Sequence, residues 1–91
     1  MQRNHAELIA LNALGWLAEA DLMGAFQSAT GADLDQVRAA ADQPEFLGAV
    51  LDFVLSDDAW VQGAAAVQDV PPELLVEARA ALPGGDLPHW T

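Results

Sequence analysis

Apolar residues recur at helical spacing along this whole chain, and a proline, glycine or helix-capping residue cuts the pattern every few turns. No segment alternates apolar and polar residues as a half-buried strand does, and β-branched residues are few. A sequence of this kind can form only short helices. Short helices are not stable alone in water, so they must bury their apolar faces on one another. The expected fold is therefore all-α, a compact bundle of five to six short helices. With 91 residues the chain has room for one modest core, placed here in residues 1–85, with residues 86–91 as a C-terminal tail.

The breakers set the expected boundaries. Asn4 and Glu7 have capping-box spacing and open a first helix that runs to about Glu19. Leu8, Leu11 and Gly15 lie along one side of it and Ile9, Trp16 and Ala20 on the next; His5, Asn12 and Glu19 draw its one clear polar stripe. A helix this apolar is either central or shares a surface with another chain. Asp21 is placed to cap a second helix through Phe26, which Gly31 ends. Asp33 caps a third, Leu34 to Ala41, with Leu34 and Val37 inward. Asp42 starts the fourth, with Pro44 in its first turn. There Leu47, Val50, Leu51 and Val54 follow the rule of one apolar stripe, widened by Phe46 and Phe53, which marks this as the core helix. Ser56 is placed to cap the fifth, where Trp60, Ala64 and Val67 share a face. Pro71 and Pro72 open the sixth, with Leu74, Leu75, Ala78 and Leu82 inward, and Pro83-Gly84-Gly85 stops it. Gly15, beside Trp16, suggests a close helix approach that would offset its cost of about 1 kcal/mol against alanine.

Charge constrains the partners. Fourteen acids face three arginines and no lysine, for a net charge of −11. Phosphate contacts need clustered Lys or Arg, so nucleic acid is not an expected partner, and neither is an anionic membrane surface. Arg3, Arg38 and Arg79 are far apart in sequence. Self-repulsion that keeps the protein soluble accounts for such charge, and so does a surface that meets a basic partner. There is no cysteine, which excludes disulfides and thiol chemistry and suits a reducing, cytoplasmic setting. No apolar run reaches transmembrane length. Arg3, the stretch Leu8 to Ala18 and Ala18-Glu19-Ala20 have the outline of a secretory leader, but Glu7 and Asn12 interrupt it.

Site chemistry is sparse. His5 and His89 lack a second ligand at metal-binding spacing and are read as solvent-exposed, so no metal or cofactor is expected. Asp33-Leu34-Asp35 begins like a calcium loop, but Val37, Arg38 and Pro44 fall where the loop needs an oxygen ligand, a glycine and a glutamate. Asp57 and Asp58 are adjacent and do not face each other on a helix. Ser28 and Ser56 have no neighbouring base, and the glycines form no phosphate loop. Asp52 would matter if buried among Leu51 and Phe53, because burial raises a carboxylate pKa; Glu45 and Ser56 in the same angular sector place it outward instead. Arg38, between Asp35 and Asp42, is read as a surface ion pair, and Arg79 has no helical partner. Trp90 either folds back on the bundle or docks another protein, and folding back is preferred because exposed Trp is costly.

Leu14-Gly15-Trp16-Leu17-Ala18, Val37-Arg38 with Pro44-x-Phe46-Leu47, Val50-Leu51-Asp52-Phe53, Asp57-Asp58, and Pro72 to Leu82 with Ala78-Arg79 together resemble a family of small alphaproteobacterial proteins, catalogued as domain of unknown function three-five-seven-two. The family pattern has Leu before the arginine and Asp-Glu in place of Asp57-Asp58. The resemblance implies a small, soluble, all-helical cytoplasmic protein, with no assigned activity, cofactor or catalytic residue.

The expected function is a non-enzymatic protein–protein interaction module, an adaptor or regulator, with Leu14, Trp16, Asp57, Asp58 and Trp90 as candidate interaction residues. The alternatives are a structural homodimer through the apolar first helix, and a carboxylate-based enzyme centred on Asp52.

Overall fold

The computed structural model describes residues 1–83, and six helices occupy them: α1 (Arg3–Glu19), α2 (Met23–Thr30), α3 (Leu34–Ala40), α4 (Pro44–Leu55), α5 (Asp58–Gln68) and α6 (Glu73–Ala80). The all-α bundle follows from the punctuated pattern. The tail and Trp90, His89, Gly84 and Gly85 lie outside the described residues.

Two caps work as strong local signals. The Asp33 carboxylate accepts from the Gln36 backbone N–H at 2.8 Å, and the Gln36 side chain accepts from Asp33 N–H at 2.8 Å, a complete capping box. Gly31 closes α2 in the left-handed region at φ 76°, where glycine has no Cβ penalty. Other ends fall elsewhere than the sequence suggests. Asp57, not Ser56, caps α5, accepting from Ala59 and Trp60 N–H, while the Ser56 hydroxyl donates back to Phe53 O at 2.6 Å and closes α4. Gln2 rather than Asn4 precedes α1, and Asn4 accepts from the neighbouring His5 N–H instead of forming a box with Glu7. Asp21 sits at φ 62° in the turn and does not cap α2. Gln43 rather than Asp42 precedes α4, with Pro44 in its first turn.

The core is built on α1 and α4. Ala6, Ile9, Ala10, Ala13, Leu14 and Leu17 of α1 are buried against α4, α5 and α6. The small alanines on this face let the neighbouring helices come close, so α1 is as central as α4. From α4 come Leu47, Gly48, Val50, Leu51 and Val54, and from α6 Leu75 and Ala78. Phe26 brings α2 to the core, edge-on to Phe46 and Phe53, and Phe53 stacks on Trp60 of α5 with centroids 4.8 Å apart. The expected inward faces need two corrections. Leu34 is exposed and Val37 alone pins α3, and Val67 is exposed, while Leu74, half-buried, packs against the core as expected. Leu34 and Val67 sit at the rim of short helices, where one turn of apolar pattern cannot say which side meets the core.

The glycines also divide differently. Among the described residues, a Cβ added at Gly15 would meet nothing within 4 Å, so none of the six helices approaches it closely. The close approaches are at Gly63, on which the Trp16 indole lies, and at Gly48, crossed by the Arg79 side chain.

Candidate functional site

Arg79 and Asp52, 27 residues apart, meet because α6 runs back along α4. Arg79 Nε donates to Asp52 Oδ1 at 2.5 Å and Nη2 to Oδ2 at 2.9 Å, a bidentate pair. Arg79 Nη1 also donates to Pro83 O at 3.1 Å. The arginine is largely covered, its side chain 15% exposed, while Asp52 is 60% exposed. The buried carboxylate required for catalysis at Asp52 is therefore not what this position holds. Asp52 serves as the outer half of a clasp that fixes the end of α6 across Gly48.

The other singled-out residues disperse. Leu14 is in the core at 8% exposure and offers no surface. Asp57 is committed to its cap; Asp58, exposed in the first turn of α5, lines a shallow cleft with Leu55, Pro72 and Val76. Arg38 lies 3.9 Å from Asp35, the surface pair that the spacing suggests. Among the described residues no three His, Asp or Glu side chains gather where an ion could sit. No single helix there is long and apolar enough to cross a membrane; α1 and α2 together pass on length and composition but bend by 116°. Ala18-Glu19-Ala20 is exposed at the end of α1, whose other face is core.

Trp16 leads to an open groove of about 510 Å³ between α1 and the C-terminal part of α5. Its floor is tied by Gln68, whose Nε2 donates to Ile9 O at 3.2 Å and Ala64 O at 3.3 Å; Asn12 Nδ2 donates to Gln68 Oε1 at 3.4 Å. Leu8, Leu11 and Val67, exposed by 54%, 44% and 55%, supply its apolar wall. Glu19 stands at one end and His5 at the other. Leu8 and Leu11 continue round α1 into a second cleft shared with Glu7, Asp42 and Leu47.

The exposed Leu8, Leu11 and Val67 differ from the candidate residues expected from sequence. The signal for them is the line Leu8, Leu11, Gly15 on a helix apolar all round, which cannot tell the core side from the open side. No curated protein and no solved structure matches the chain. Residues 3–85 match the model of the family described as "Protein of unknown function (DUF3572)", and the chain belongs to that family.

Proposed function

We propose that this protein is a non-enzymatic interaction module of the cytoplasm, an adaptor or regulator whose acidic surface meets a basic protein. The observation that carries the reading is uncompensated charge. The net charge is −11, and two of the three arginines, Arg38 and Arg79, lie beside aspartates of the same chain. That leaves Arg3 against a surface of carboxylates, a poor match for phosphate backbones and a good one for lysine- or arginine-rich protein surfaces. The absence of cysteine accords with a reducing compartment.

The reading predicts salt-sensitive binding. The screening length falls from about 10 Å at 0.1 M salt to about 3 Å at 1 M. A basic protein captured from the source cell at low salt is expected to elute in a salt step and, once purified, to rebind with an affinity that falls steeply as salt rises. Affinity unchanged across that range contradicts an electrostatic interface. A second reading, a structural homodimer through α1, draws on the exposure of Leu8 and Leu11. A monomer in sedimentation at high protein concentration removes it.

A further inference from the structure

We propose that the groove between α1 and α5 seats an amphipathic helix of the basic partner. The apolar face of that helix would lie on Leu8, Leu11 and Val67, and its Lys or Arg residues would face Glu7, Glu19 and Asp69. This inference rests on the acidic-module reading and gives it a place and a chemistry.

Three observations converge on the groove. Leu8 and Leu11 sit one turn apart on α1 and remain 54% and 44% exposed, although the neighbouring Ile9 and Ala10 are buried. Exposed leucines at this spacing, with Val67 across the groove, are the anchors that a helix-in-groove contact uses. Gly15 is the second observation. It lies on the same line of α1, lowers helix stability by about 1 kcal/mol against alanine, and among the described residues a Cβ there would meet nothing within 4 Å. A bare backbone facing the groove lets another helix approach closely, a use for this glycine that none of the described helices supplies.

Charge is the third, and it selects the occupant. Glu19 lines the groove; Glu7 lies beside Leu8 and Leu11 in the adjoining cleft; exposed Asp69 falls between Gln68 and Val70, which both line the groove. Arg3 and His5 are the opposing groups at the start of α1. A second copy of this chain would bring the same carboxylates together at net charge −11 per chain, whereas a basic helix is complementary.

The test uses the full chain, nitrogen-15 labelled, and two synthetic peptides of identical Lys/Leu composition. In one the leucines form a single helical stripe; in the other they are scrambled. The striped peptide is expected to bind at least ~10-fold more tightly and to shift the amide signals of Leu8, Leu11, Gly15 and Val67. The Leu11→Gln variant is expected to lose most of that difference. Equal binding of both peptides, with shifts spread over the acids and the groove unmoved, overturns the groove assignment and leaves the acidic module standing. No binding of either at low salt overturns both. Groove signals that move when the protein alone is concentrated assign the groove to a second copy. Groove signals that move in Trp90→Ala protein without peptide assign it to the chain's own terminus. Either of these last results overturns the proposal.

Discussion

Phe26→Ala is expected to cost about 3–5 kcal/mol, a larger loss than any other substitution predicted for this chain. The side chain is fully buried and packs edge-on to Phe46 at 5.7 Å and Phe53 at 5.4 Å. It is also the one fully buried residue of α2, which is eight residues long and has Met23 half-buried beside the core. A helix that short has no stability of its own. Its truncation thus leaves a cavity beneath α4 and releases α2. A chain of 91 residues has a total stability of roughly 5–14 kcal/mol, so the loss is a large part of the whole. Urea unfolding followed by far-ultraviolet circular dichroism measures it. Leu34→Ala, at an exposed apolar position, is the control and is expected to stay within about 0.5 kcal/mol of the parent. A Phe26→Ala loss below about 1 kcal/mol would contradict the placement of α2.

Gly63→Ala and Gly48→Ala are each expected to destabilise by about 1–3 kcal/mol, although alanine is the better helix former. A Cβ at Gly63 would lie 2.9 Å from Trp16 Cε2, against a rigid indole wedged between α1 and α5. At Gly48 it would lie 2.8 Å from Arg79 Nη1 and 3.2 Å from Pro83 O. Arg79 cannot swing aside without giving up Asp52 and Pro83. Gly15→Ala should have the opposite sign, stabilising by about 0.5–1 kcal/mol, because its surroundings are open. The sign separates packing from helix propensity: three glycine substitutions that all stabilise would refute both close approaches.

How much of the molecule is legible in its sequence depends on the range of the interaction involved. The all-α class, the α4 stripe and the Asp33 cap are local, set by residues within a turn or two, and they read directly from spacing. Asp57 and Ser56 compete for one cap, and a single residue of offset decides between them; the serine instead bonds back to Phe53 O. Gly15 and Gly63 look alike in sequence, both inside apolar helices, and the Trp16 ring that distinguishes them reaches across from α1 to α5. The Arg79–Asp52 clasp depends on α6 returning along α4, which no local pattern encodes. Both residues belong to the segments that carry the family resemblance, and their meeting gives those segments a structural purpose. The proposed interaction surface is the least legible part. On a helix as apolar as α1, Leu14 and Leu11 carry the same local signal, yet Leu14 is 8% exposed and Leu11 44%. Only the placement of α4, α5 and α6 separates the two.

The most direct test of the groove and its occupant compares the Leu8→Gln/Leu11→Gln double variant with the parent chain. Unfolding stability is measured, and so is binding of the striped Lys/Leu peptide at low salt. Leucines that serve a partner rather than the core can be replaced with stability within about 1 kcal/mol of the parent, while binding weakens by at least ~10-fold. Unchanged binding, or a variant that no longer folds, would contradict that assignment.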